Sequence, residues 1–153
     1  MARRRRQEIS YNVLDLQPNV AIGIKLPFSN NQSGLFDLSY STEEQAISNL
    51  KNLLLTRKGE RVMQPNFGTN IYDSLFENNV DELPIILRDG ITADIAFWLP
   101  YIIINDLTVE RKSRYEADTI GQALQISLTV QVTSRGSEIP ITLLVTPSTI
   151  TIV

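Results

Sequence analysis

The chain has 153 residues, 42% of them hydrophobic and 20% charged, enough for one ordinary domain that buries roughly 68–70% of its unfolded surface. It contains neither cysteine nor histidine, which excludes disulfides, thiol nucleophiles, Cys/His zinc sites and an imidazole general base. The net charge of −3 conceals an asymmetry: without the consecutive Arg3–Arg6, residues 7–153 carry 10 basic against 17 acidic residues, a net of −7. An acidic body argues against a broad phosphate-binding face and so against a nucleic-acid partner.

Residues 1–10 read as a basic, flexible tail and 11–153 as a single domain. The arginines lack the apolar stretch that a signal peptide would place after them, since Gln7-Glu8-Ile9-Ser10 follows. The apolar stretch Phe97–Ile104 contains Pro100 and falls far short of the about 20 residues a bilayer requires. No membrane partner is expected, and the composition predicts a soluble protein made in a cytoplasm.

Leu14–Leu26 mixes apolar residues with Pro18 and Gly23, and Pro27–Gly34 is dense in turn formers. This predicts an N-terminal extended segment with one or two short strands. Ser41-Thr42-Glu43-Glu44 fits a capping box, in which the Ser41 hydroxyl and the Glu44 carboxylate satisfy each other's backbone amides. Ala46, Ile47, Leu50, Leu53 and Leu54 then recur at helical spacing, predicting a helix over 42–57. Arg57 and Lys58 would favour its negative end, and Gly59 would supply a left-handed stop.

A loop over 60–68 follows, then a short helix through Phe76 capped by Thr69 or Asn70. A third helix begins near Asp81, with Pro84 tolerated in its first turn. Leu83, Leu87, Ile91, Ile95 and Trp98 form one apolar stripe, and Pro100 ends it. The remainder reads as strand. Ile104–Arg111 should point Leu107 and Val109 inward, and Leu124–Val132 alternates apolar and polar residues with a period of two. Ser134–Ser137 is a turn, and Glu138–Val145 the returning strand of a hairpin. One apolar face implies an antiparallel sheet covered by the helices, so the fold class is α+β.

Pro147 interrupts the pattern before Thr149-Ile150-Thr151-Ile152-Val153 resumes it. This segment is either a fourth, edge strand of the same sheet or a strand that pairs with another chain.

The loop region itself, Lys58-Gly59-Glu60-Arg61 through Pro65, Phe67-Gly68 and a short helix ending in Leu75-Phe76, closely resembles the baseplate wedge family of contractile phage tails. That family includes the baseplate component of type VI secretion. Its signature glutamate, arginine and proline match Glu60, Arg61 and Pro65. Leu14–Asn19 and Ile22–Phe28 are similar to the T-even-type branch, so the resemblance covers most of residues 11–153. It implies a structural protein without cofactors, located in the tail baseplate of a virion and assembled in the host cytoplasm.

The resemblance further implies that the Glu60/Arg61/Pro65 loop meets the helical core bundle of the other wedge proteins. It also implies that the β part resembles the tail-sheath inter-subunit domain, with Thr149, Ile150, Thr151, Ile152 and Val153 sharing strands with a sheath subunit. Neighbouring tube or baseplate hub proteins are further candidate partners. Read without the family, Glu60 and Arg61 are either an internal clamp or a docking surface. Pro65 would stiffen the loop and hold Asn66 extended, Phe67 would anchor it in the core, and Gly68 would permit a turn.

The alternative function is a lysozyme-like glycoside hydrolase acting through two carboxylates. Glu60, Asp73 and Glu77 are the candidates near the motif. Asp73 and Glu77 would share a helix face, a spacing more typical of solvated charge.

Overall fold

The computed structural model describes residues 17, 19–26, 36–74, 76, 82–112, 123–132, 138–146 and 150–152. Arg3–Arg6, the turn cluster at 27–34, Glu77, the turn at 134–137, Thr149 and Val153 lie outside them. The observed order is β1 (Gly23–Ile24), β2 (Leu38–Ser39), α1 (Thr42–Leu55), α2 (Ile71–Ser74), α3 (Leu83–Trp98), β3 (Ile102–Lys112), β4 (Ala123–Val132), β5 (Glu138–Val145) and β6 (Ile150–Ile152). The α+β class and the helices-then-sheet order are those expected.

β1 and β2 form a two-stranded antiparallel pair lying on α1. The capping box forms: Ser41 Oγ accepts from the Glu44 amide at 3.2 Å. The Glu44 carboxylate in turn accepts from the Tyr40 amide at 3.1 Å and pairs with Lys25 at 3.2 Å, tying the extended segment to the helix start. Burial alone would raise the Glu44 pKa. The amides of Tyr40 and Ser41 and the Lys25 charge outweigh it, holding the carboxyl below its ordinary value.

Helix α1 stops at Leu55, two residues short of the expectation. Thr56 is extended (φ −89°, ψ 128°), and its amide and hydroxyl both donate to the Asn52 carbonyl. The Thr69 hydroxyl donates to the Leu54 carbonyl at 3.2 Å. Two threonines thus satisfy the exposed helix end, so neither Gly59 nor the charges of Arg57 and Lys58 is needed there. Thr69 is thereby also occupied elsewhere than at the start of α2.

Helix α3 buries Leu83, Leu87, Ile91 and Ile95 as the stripe predicts, with Pro84 in its first turn and Leu99 as its cap before Pro100. The second sheet has the order β3-β4-β5-β6, antiparallel throughout. β4 alternates as anticipated: Leu124, Ile126, Leu128, Val130 and Val132 are buried. They join Leu107, Ile141, Leu143 and Val145 and the buried faces of α1, α2 and α3 in one hydrophobic cluster. Val109 is partly buried against the same cluster. Among the described residues, no helix is long and apolar enough to cross a membrane.

Candidate functional site

The chain between α1 and α2 is built from consecutive turns on a closed neck. At the neck, Arg57 and Thr69 form a parallel bridge, with the Thr69 amide donating to Thr56 O at 2.9 Å. The Glu60 amide donates to Arg57 O, the Gln64 amide to Arg61 O and the Phe67 amide to Gln64 O. Each closes a β-turn. Gly59 (φ +89°) occupies the third position of the first turn, where a type II geometry requires positive φ. Its own amide reaches across the loop to Pro65 O at 2.7 Å. Pro65 is the second residue of the last turn, the position its fixed φ suits. Asn66 is therefore folded into that turn and not extended: proline restricts the residue before it, Gln64, and leaves the one after it free to turn.

Phe67 anchors the loop as expected. It is buried and meets Trp98 of α3 edge-on, centroids 5.2 Å apart. Gly68 is required outright. Its φ is +115°, and a Cβ there would lie 2.4 Å from the Thr56 carbonyl oxygen.

Glu60 and Arg61 do not pair with each other. Glu60 Oε2 accepts from the Arg57 amide at 3.1 Å. The Arg61 guanidinium donates to Asn52 Oδ1 at 3.1 Å and stacks over the Phe67 ring, 3.9 Å from its centroid. Between Arg61 and Pro65, Val62 and Met63 are the central residues of a turn, so their side chains project outward, 94% and 91% exposed. Two apolar side chains displayed this fully on a hydrogen-bonded loop bury almost nothing within the chain.

The sheet's two edges differ. β3 carries a register shift between Ile104 and Asp106 and exposes Asp106 and Glu110. Bulges and charges are the usual means of blunting an edge. At the other edge, β6 pairs Ile150, Thr151 and Ile152 with Val145, Leu144 and Leu143. The segment Thr149–Val153 contains no charge. Ile150–Ile152 thus form the edge strand of this sheet among the described residues.

The family model for baseplate wedge protein gp25 matches residues 41–136, that is 96 of the 153 residues. The chain belongs to the gp25 baseplate wedge family. This gp25-family chain is accordingly a structural component of a phage tail baseplate. Among curated proteins no relative matches the sequence.

Its fold is similar to that of a candidate tail lysozyme of Geobacter sulfurreducens. The TM-score is 0.58 at 24% identity, covering 69% of this chain and 90% of that one. It is likewise similar to a chain of the anti-feeding prophage baseplate, with a TM-score of 0.58 at 24% identity, covering 72% and 83%. A chain of the type VI secretion baseplate complex is more distant, with a TM-score of 0.49 at 13% identity, covering 66% and 89%.

The gp25-family loop also borders an open groove of about 810 Å³ that contains both Glu60 and Asp73. Arg57 engages them both. Its guanidinium pairs with Asp73 and lies over Tyr72, while its amide holds Glu60. Helix α2 spans Ile71–Ser74 and carries Asp73, while Glu77 lies outside the described residues. Among the described residues, no cluster of three or more acidic side chains could hold a metal ion.

Val62 and Met63 were not singled out by sequence reasoning. The available signal was an apolar pair set between Arg61 and Gln64 in an otherwise polar loop. The internal contacts of Arg61 give its substitution a fold cost. Arg61→Ala should lower stability by about 1–2 kcal/mol through loss of the stacking and the Asn52 bond. Arg61→Lys should recover only part, because an ammonium cannot stack as a plane. Thermal melts check this, and an unchanged melting temperature for Arg61→Ala would show that its guanidinium is not engaged in the free chain.

Proposed function

We propose that residues 11–153 act as one wedge unit joining the helical core bundle of the wedge to the first ring of tail sheath, and that the unit performs no chemistry. The observation that carries this reading is the exposed Val62–Met63 pair, held between Arg61 and Pro65 on a loop whose neck and turns are fixed by hydrogen bonds. Rigid display of apolar side chains lowers the entropy cost of docking. Glu60, Arg61 and Pro65 then serve chiefly to shape the loop, with Arg61 retaining donors that a partner carboxylate can use.

The same reading assigns β6 to strand sharing with a sheath subunit. Its outer edge has no strand partner among the described residues, and its sequence lacks the charges of β3, so a neighbouring strand can add beside Ile150–Ile152 while they stay paired to β5. Three residues supply only a few ladder bonds, and repetition around a tail ring would provide the remaining affinity. Neighbouring tube or hub proteins complete the candidate surroundings, and the cytoplasm of the host is where assembly would take place.

Deletion of residues 148–153 tests this assignment. The truncated chain should remain folded at a cost of about 2 kcal/mol, join the wedge, and fail to seed an orderly sheath in electron micrographs. Normal sheath on such tails would refute the strand-sharing role. Unfolding of the truncated chain would return β6 to the part of an ordinary edge strand.

A further inference from the structure

Helix α3 has a second apolar stripe that the fold does not bury. Ile86, Gly90, Ala93 and Phe97 follow one another at intervals of four, three and four residues, the spacing of a single helix face. Ile86 is 60% and Phe97 74% exposed, and Gly90 and Ala93 are exposed between them. The stripe spans about 16 Å at 1.5 Å per residue. Its bulky ends and small centre make a saddle. Gly90 has no conformational reason to be glycine: it sits in the helix interior, and a Cβ there would meet nothing within 4 Å. Glycine at such a position weakens a helix, so the chain's own packing does not account for it.

Two depressions flank the stripe: one of about 150 Å³ beside Ile86, Gly90 and Asn70, and one of about 300 Å³ beside Phe97 and Asn66 of the loop. Lys58 and Asp94 line both and neutralise each other at 2.7 Å. On the opposite side of the stripe, Glu82 and Asp89 are exposed, one helix face apart by seven residues, and neither is in an ion pair among the described residues. One rim is therefore neutral and the other acidic.

We infer that this face of α3 receives an amphipathic helix of a neighbouring baseplate protein, its apolar stripe seated between Ile86 and Phe97 and a basic flank lying along Glu82 and Asp89. A helix fits because the small residues at the centre let a cylinder approach closely while the ends clamp it. The acidic rim, without an ion pair among the described residues, selects lysine or arginine beside the partner's apolar stripe. The depression beside Phe97 is bordered by Asn66 of the loop that carries Val62 and Met63, so the inference rests on the wedge reading and extends its docking surface along α3.

The test uses assembled wedges that carry the full chain with a benzophenone photo-crosslinking side chain at position 86, 97 or, as a control on the far side of the helix, 92. Crosslinks from 86 and 97, but not 92, should map to a helical segment of another baseplate protein with basic residues beside its apolar stripe. Gly90→Leu should melt no lower than the wild type, because the added side chain has open space, yet reduce the crosslink yield at least tenfold. Glu82→Lys combined with Asp89→Lys should reduce it as well.

Yields from 86 and 97 no higher than from 92, or unchanged by Gly90→Leu, would overturn the inference. Crosslinks to Arg3–Arg6 of the same chain, or to a second copy, would overturn it in favour of that occupant. Absence of the chain from wedges altogether would instead remove the wedge reading on which the inference stands.

Discussion

Replacing Gly68 by alanine is expected to destabilise the protein by about 3 kcal/mol or more, because two independent penalties fall on one residue. Its φ of +115° is disfavoured for any residue with a Cβ, and that Cβ would sit 2.4 Å from the Thr56 carbonyl oxygen. The carbonyl cannot retreat cheaply, since it accepts the Thr69 amide that closes the neck of the loop. Gly59→Ala provides the comparison. It shares a positive φ of +89° but would meet nothing within 4 Å, so it should cost only about 1–2 kcal/mol.

For a domain of this size each kcal/mol moves the melting temperature by roughly 2–4 °C. The alanine variants should therefore separate clearly in thermal melts, with Gly68→Ala the lower. Equal melting temperatures would mean that the backbone contact at Thr56 is not maintained in solution. Because the neck positions everything from Glu60 to Pro65, Gly68→Ala should also weaken wedge incorporation, although Arg61, Val62 and Met63 are all still present.

The converse behaviour is expected at the tip. The double substitution Val62→Asp, Met63→Asp should leave the melting temperature nearly unchanged, since surface substitutions away from packing and capping features usually fall within about 0.5 kcal/mol. Wedge incorporation should nonetheless collapse. If each side chain is a buried anchor worth about 2 kcal/mol in the complex, affinity falls by roughly 10²–10³-fold. Co-purification with the other wedge proteins measures this directly. A folded double variant that incorporates normally would eliminate the loop tip as a docking element and leave Arg61 and the α3 face to account for partner binding.

Residue pattern alone determined the elements whose burial follows a strict period. The two-residue alternation of Leu124–Val132 and the stripe from Leu83 to Ile95 each place one face in the core, and no other conformation of these segments buries the same atoms. The capping box at Ser41–Glu44 was legible for a related reason, since its partners lie within one helical turn of each other. The loop motif pointed to its family through Glu60, Arg61 and Pro65, but their contacts were not legible.

Those contacts depend on residues brought together from separate elements. Asn52 of α1 receives Arg61, Phe67 slides beneath the same guanidinium, and Trp98 of α3 supports Phe67. Thr69 ends α1 from 14 residues beyond Leu55 by donating to a carbonyl near its terminus, which displaced the role that local sequence assigned to Gly59. Likewise, the apolar character of Val62, Met63, Ile86 and Phe97 is written in the sequence, but their exposure is not. Hydrophobicity measures the free energy available from burial; only the tertiary arrangement decides whether that burial is completed within the chain or left for a partner.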